Sequence, residues 1–219
     1  PDIPDAYNLL GEVRTHFSKY QDVRRATEHF ERALEIDPTF EVVLFHLVQD
    51  YILSDDGAAL EALIARYRAM NPSDPRIDSM ELAFLMAQEK YDEVISRVGA
   101  MLHEGDAREW MRMTTALQIK GEWDRAFNLC EMAIDRDTKG YNLAFAHNAR
   151  GWSEIGRGNI EAGLADIDRA CSMLTGLGAA GRWAAAIVAS YRWHQAQILI
   201  AAGDYDGAEE KARRGIEED

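Results

Sequence analysis

Apolar positions recur at helical spacing along almost the whole chain, and turn residues cut the pattern into short segments. The clearest segment is ATEHFERALEIDP, in which Ala26, Phe30 and Ala33 fall at i, i+4 and i+7. Residues spaced this way share one face of a helix. The two alanines let a neighbouring helix come close, and the aromatic ring fills the gap between them. Asp37-Pro38 closes the segment, because proline cannot continue a helix and restricts the residue before it. Thirty-four residues beyond Pro38, Pro72 ends ALEALIARYRAMNP in the same way.

A second pattern marks the turns. GEWDRA at 121–126 and GDYDGA at 203–208 share Gly-x-aromatic-x-x-Ala, and EKYDEV at 89–94 and Gly158-Asn159-Ile160 are looser versions. The glycine is expected to end the first helix of a pair and the aromatic to wedge between the two helices. Asp124 and Asp206 are placed to cap or charge-stabilise the start of the second helix. The patterns give six helix pairs, at about 5–40, 41–74, 75–106, 107–140, 141–178 and 179–219. They read as one array over 1–219. GLGAAG at 176–181 reads as a flexible entry to the last pair. In the second pair, Leu60 and Tyr67 occupy positions where small residues would let the helices close, which predicts a splayed hairpin.

The period of 34 and these residues resemble tetratricopeptide repeats. The fourth unit is the nearest match, with Trp110, Met113, Ala116, Leu117, Gly121, Trp123, Ala126 and Ala133 at the family's large and small packing positions. The fifth, NARGWSEIGRGNIEAGLADIDRA, is similar to a subtype carrying Arg150-Gly151 and ending in Asp166-Ile167-Asp168-Arg169-Ala170. The resemblance implies an all-α, right-handed superhelical solenoid that binds proteins and is not an enzyme. A narrower resemblance is carried by Asp5-Ala6-Tyr7, Gly11, Ala26, Phe30, Ala33, Asp37 and Pro38. It is to tetratricopeptide extensions of bacterial signalling proteins: winged-helix regulators, Ser/Thr kinases and adenylate cyclases. With Pro1 at its start and Leu9, Leu10 and Val13 in an apolar first helix, the chain reads as a fragment of a longer protein.

Charge narrows the partners. The 24 basic and 38 acidic residues give a net charge of −14, which repels nucleic-acid phosphates and anionic lipid. No basic cluster exceeds a pair, Arg24-Arg25 or Arg213-Arg214, so direct nucleic-acid binding is not expected. No apolar run reaches the roughly 20 residues that a bilayer requires, so no membrane insertion is expected. Cys130 and Cys171 read as small core hydrophobes in a reducing compartment, which points to the cytoplasm.

Candidate chemistry is sparse. The histidines at 16, 29, 46, 103, 147 and 194 include no His-x-x-x-His pair, and Cys-x-x-Cys is absent, so no metal or cofactor is expected. They read as surface or groove imidazoles. Gly-x-Ser-x-Gly and the phosphate-binding Gly-x-x-x-x-Gly-Lys-Ser/Thr are missing. Asp55-Asp56 and Glu217-Glu218-Asp219 fall in a turn and at the end of the sequence, where water keeps both members of a pair ionised.

Family geometry implies a concave groove lined by the first helix of each pair. Projected onto this sequence, the groove residues are Phe45, His46 and Gln49; Arg76, Met80 and Ala83; Arg108, Met111, Arg112, Thr115 and Gln118; Asn148 and Trp152; and Trp193, His194 and Gln197. Aromatic and arginine side chains anchor interfaces, and methionine adapts to them. The resulting expectation is a peptide or protein segment with an acidic group received by Arg76, Arg108 and Arg112, or alternatively arginines that pair with acids on neighbouring repeats. Three functions follow: an interaction scaffold, a sensory extension of a larger bacterial regulator or kinase, and self-assembly into a homo-oligomer or an unrecognised enzymatic role.

Overall fold

The computed structural model describes residues 3–16, 22–101, 107–136, 140–176 and 182–217. Among them are twelve α-helices and no strand. In chain order they are α1 (Pro4–His16), α2 (Val23–Ile36), α3 (Glu41–Leu53), α4 (Gly57–Met70), α5 (Arg76–Ala87) and α6 (Tyr91–Met101). There follow α7 (Ala107–Ile119), α8 (Trp123–Asp135), α9 (Gly140–Gly156), α10 (Ile160–Gly176), α11 (Arg182–Ala202) and α12 (Tyr205–Glu217). The chain divides into two compact units, Pro1–Lys90 and Tyr91–Asp219. The boundary falls inside the predicted third pair, so α5 belongs to the first unit and α6 to the second. Within each unit, every helix packs on the next.

The boundaries follow the local signals. Helix α2 stops at Ile36 with Asp37 as its cap, and α4 stops at Met70 before Asn71-Pro72. At the starts, Asp22 accepts from the Arg25 amide at 3.1 Å and Asp56 from that of Ala59 at 3.0 Å, satisfying donors that a first turn leaves open. Asp206 lies in the first turn of α12, where its charge favours the helix start, while the side-chain cap comes from Asp204, which accepts from the Gly207 amide at 3.0 Å. Asp124 pairs with Arg157 at 2.9 Å, and α8 begins after Glu122 with no side-chain cap.

Five hairpin turns share one backbone solution. Asp55, Glu89, Gly121, Gly158 and Gly203 are all left-handed, with φ of 55°, 57°, 74°, 91° and 83°. After each, the next amide reaches back into the last helical turn: Asp56 to Tyr51 O (2.8 Å), Lys90 to Leu85 O (3.0 Å), and Glu122 to Leu117 O (2.9 Å). Asn159 bonds Glu154 O and Asp204 bonds Leu199 O, both at 2.9 Å. This is the helix-ending arrangement for which glycine is the usual residue. Asp55 and Glu89 adopt it without glycine.

In the first unit Ala26, Phe30 and Ala33 are fully buried in a core with Leu47, Leu60, Leu63 and Tyr67. Leu60 and Tyr67, the two large residues of the second pair, are each 1% exposed, and the Tyr67 hydroxyl donates to Asp74 at 2.7 Å. A β-carbon on Gly11 would overlap the Phe30 ring, so the absent side chain lets α1 close on α2. In the second unit Trp110, Met113, Ala116, Leu117 and Ala126 are buried as the repeat pattern requires. Ile167, Ala170, Cys171, Leu174 and Val188 form a further core. Gly151 and Gly163 bring α9 and α10 into backbone contact. A β-carbon on Gly151 would sit 2.7 Å from Gly163 O, and one on Gly163 2.5 Å from Gly151 O. Trp123 packs onto the next pair instead of only within its own, its indole filling the space over Gly156 at the end of α9. Tyr205 does not: at 69% exposure it lies on the surface. The predicted flexible entry at 177–181 lies outside the described residues.

Candidate binding face

The five left-handed turns supply a common register for the first helices. Ten residues before each turn stand Phe45, Ser79, Met111, Asn148 and Trp193. Nine before stand His46, Met80, Arg112, Ala149 and His194, and six before stand Gln49, Ala83, Thr115, Trp152 and Gln197. Arg76 and Arg108 both precede their turns by thirteen. The predicted groove residues therefore occupy equivalent helical positions, and the structure shows how each is used.

In the first unit, Phe45 is 54% exposed and Gln49 is exposed. His46 is drawn inward. Its ring stacks on Phe30 at 4.8 Å, and Nε2 lies 2.7 Å from Glu12 Oε1. Met80 and Ala83 are each 6% exposed and belong to the core, which corrects their placement in an open groove. The position nine before the turn lies on the flank facing the neighbouring helix, and Met80 fills it. Arg76 is locked in place. Its Nε lies 2.9 and 3.0 Å from the Asp74 oxygens and its Nη2 2.6 Å from Oδ2. Glu41 is 3.4 Å away, and the Arg76 guanidinium lies over the Tyr67 ring. Hydrogen bonding to Arg76 holds the Asp74 carboxyl well below the usual carboxylate range, and Asp74 raises the guanidinium in turn.

In the second unit, side-chain contacts link α7 to α9 and α9 to α11. Gln118 ties α7 to α9, its Nε2 donating to Ala149 O at 2.8 Å and Ser153 Oγ at 3.0 Å. Trp152 meets His194 edge-on at 5.7 Å and so joins α9 to α11. Trp193 is 60% exposed, Thr115 and Gln197 are exposed, and Met111 and Trp152 are half-buried. The Thr115 hydroxyl donates to Met111 O at 2.9 Å. Arg112 Nη1 bonds both oxygens of Glu109 at 3.0 Å, and Glu109 is 6% exposed. The Arg108 side chain lies outside the described residues. Asn148 Oδ1 is buried and has no hydrogen-bond donor.

Arg76 follows the alternative expectation, pairing with Glu41 and Asp74 of the preceding helix pair, whereas Arg112 pairs within its own helix, with Glu109. The charge of each is answered internally. The expected acidic group therefore finds these two cations already engaged.

Behind the face, sequence reading missed two ionic clamps. Arg150 Nε and Nη2 bond Asp166 at 2.6 and 2.7 Å, Arg150 also bonds Glu131, and His147 Nδ1 lies 3.3 Å from Asp166. His147 is 5% exposed, not a surface imidazole, and burial pushes its pKa down. Burial pushes the Asp166 carboxyl up, but Arg150 and His147 outweigh it and leave it below its ordinary value. In the second clamp Asp168 accepts from Lys211 at 2.9 Å, from Gln195 at 3.0 Å and from Arg192, joining α10, α11 and α12. Burial, offset in part by a Thr114 hydrogen bond, pushes the Cys130 thiol up to about 12. No group of three or more potential metal ligands occurs among the described residues. No described helix is long and apolar enough to cross a membrane.

Helix pairs closed by a repeated left-handed turn, with small residues at the closest approaches, define a tetratricopeptide-like helical repeat protein. No protein-family model matches the chain, and no curated protein matches it. Among solved structures it is similar to "MamA MSR-1 C2", with 19% identity over 78% of this chain and 95% of that one and a TM-score of 0.44. It is also similar to "Crystal structure of MamA", with 15% identity over 100% of this chain and 95% of that one and a TM-score of 0.40. Likeness at this level assigns no function.

Proposed function

We propose that this chain is a protein-interaction scaffold whose first-helix face in the second unit, formed by α7, α9 and α11, holds an extended or helical segment of a partner protein. The observation that carries this is the alignment of Met111, Asn148 and Trp193, and of Thr115, Trp152 and Gln197, at equivalent positions on three linked helices. These are adaptable and aromatic side chains, left partly or largely open to solvent. Tryptophan buries a large area on contact at small entropic cost, which suits an anchor. Binding without chemical transformation is the reading that fits a site whose titratable groups are tied to one another.

The test is a selection from a random displayed peptide library on the wild-type chain, followed by measurement of the winners' affinity. The double variant Trp152→Ala/Trp193→Ala should lose at least tenfold in affinity for them, the equivalent of about 1.4 kcal/mol. Winners that bind the double variant as tightly as wild type refute the face assignment.

A further inference from the structure

We infer that the last helix pair carries a self-association face: α12, with Ile200 of α11 beside it, packs against the same face of a second copy of this chain. Its residues are different from those of the partner-binding face proposed above, and the inference does not rest on that reading.

The left-handed turns locate the face. Three residues before the turn, the four earlier hairpins place Ile52, Met86, Gln118 and Ile155, all half-buried, and Gln118 bonds the next first helix from there. Two residues after the turn stand Trp123, whose indole lies over Gly156 of the next pair, and Gly57, whose β-carbon would meet Phe84 of the next pair at 3.4 Å. Thirteen after it stand Arg68, which pairs with Glu81 of the next pair, and Cys171, which shares a core with Val188 of α11. These three positions are the ones a helix pair turns toward its successor. Nine after the turn, Ile64, Val98, Cys130 and Ile167 are all buried.

In the last pair the same positions hold Ile200, Tyr205, Ile216 and Ala212. All four are exposed, Ile200 at 52%, Tyr205 at 69% and Ile216 at 80%. Tyr205, Ala212 and Ile216 fall at i, i+7 and i+11, on one face of α12. The repeat register thus explains the open Tyr205 ring: it is the counterpart of Trp123, left to solvent. Apolar side chains gathered on one exposed face mark a surface that associates.

The order of residues on that face selects the occupant. Along it α12 reads Tyr205, Glu209, Ala212, Arg213, Ile216: apolar, acidic, small, basic, apolar. Read in the opposite direction, the order is the same with the two charges exchanged. Two copies of α12 laid antiparallel therefore set each Tyr205 against the other's Ile216 and each Glu209 against the other's Arg213. Ala212 falls where the helices come closest. Glu209 and Arg213 are both largely exposed and bond each other along the helix at 2.6 Å, so both charges already stand on this surface. Such self-complementarity is what a two-fold dimer requires. Charge permits it: over 205–217 α12 carries four acids and three bases. It therefore meets a copy of itself with little of the repulsion that the net charge of −14 imposes on the whole chain. A strongly basic or strongly acidic partner finds no complement in so balanced a helix.

A contact between two helices is small for an interface, so the dimer should form with a dissociation constant on the order of 10–100 μM. Sedimentation equilibrium of the full chain, up to several times that concentration, should show the mass rising from that of one chain toward that of two. Ile216→Asp and Tyr205→Asp should each weaken dimerisation about tenfold or more. Glu209→Arg should weaken it about fivefold. Adding Arg213→Glu to that variant should restore most of the loss, because the exchanged pair is again complementary. The substituted residues are all exposed, so the variants keep the fold, and circular dichroism checks that.

A chain that stays monomeric throughout this range overturns the inference. So does a dimer that survives both Ile216→Asp and Tyr205→Asp. A dimer lost in Trp152→Ala/Trp193→Ala but kept in those two variants also overturns it and moves self-association to the first-helix face. Failure of Arg213→Glu to rescue Glu209→Arg overturns the antiparallel pairing of α12.

Discussion

The closest approach in the second unit predicts that one substitution has opposite signs at two glycines. Glycine in a helix interior costs about 1 kcal/mol relative to alanine, so Gly→Ala stabilises wherever the added methyl group finds space. Gly99, on α6, has no atom within 4 Å of its would-be β-carbon. Gly99→Ala should raise stability by roughly 0.5–1 kcal/mol. Gly151 gains the same propensity, but its β-carbon would meet Gly163 O at 2.7 Å and Ile167 Cγ1 at 2.9 Å. The obstructing oxygen is backbone, so relief requires α9 and α10 to separate. Overpacking of this kind costs typically 1–3 kcal/mol, which leaves a net loss of up to about 2 kcal/mol once the propensity gain is subtracted. Both glycines lie in the second unit, so the comparison is not confused by which unit unfolds. Urea denaturation followed by circular dichroism reads both changes as shifts in midpoint at constant slope. If Gly151→Ala stabilises the chain as Gly99→Ala does, the helices are not in backbone contact and the packing account fails.

Four further outcomes follow. Gly121→Ala should cost about 1–2 kcal/mol, because φ of 74° is left-handed and a β-carbon is strained there; an unchanged thermal midpoint would contradict the shared turn. The stability of the second unit should fall as pH drops. His147 is held neutral by burial, so its contribution starts to fade below its ordinary value of about 6.5. The depressed Asp166 carboxyl adds stability that is lost at lower pH, as the folded-state group itself becomes protonated. His147→Gln should remove the upper part of this decline, and an identical pH profile for the variant would count against it. Asp168→Ala removes the carboxylate that Lys211, Gln195 and the buried Arg192 share, leaving Arg192 its bond to Gln195, and should cost roughly 1.5–3 kcal/mol, with hydrogen-exchange protection lost first in α11 and α12; protection lost uniformly would argue against a local clamp. Finally, Cys130 and Cys171 are both buried, and the raised Cys130 thiol gives little thiolate at neutral pH. A thiol reagent should label neither until urea unfolds the chain, and prompt labelling of the folded protein would show the burial to be wrong.

Most of the fold was legible because its determinants are local. Ala26, Phe30 and Ala33 declare a helix face by spacing alone, and Asp37-Pro38 and Asn71-Pro72 declare the stops by proline chemistry. Gly121, Gly158 and Gly203 announce left-handed turns. Asp55 and Glu89 hold the same conformation without that signal, so only the repeat spacing hints at it. The aromatic rule named Trp123 as a packing residue but not its neighbour, Gly156 on the next pair, and it failed for Tyr205, which remains exposed. The site was legible as register and not as environment. Phe45, Trp193, Thr115 and Gln197 are exposed, whereas Ala83 is buried from the position equivalent to Thr115 and Gln197, because exposure depends on the neighbouring helix. The same limit applies to charge. Arg76 and Arg112 read as ligand-binding cations until Asp74, Glu41 and Glu109 are placed beside them. His147 read as a surface residue because nothing in its flanking sequence shows Asp166 on the next helix.

The central claim is that partners are held on the face of α7, α9 and α11. Nuclear magnetic resonance titration of the isotopically labelled chain with a library-selected peptide tests it most directly, and the indole N–H signals of Trp152 and Trp193 serve as built-in reporters. The account predicts shifts at these two indoles and at the amides around Met111, Thr115, Asn148 and Gln197. Shifts confined to α8, α10 and α12, with both indoles unmoved, would contradict it.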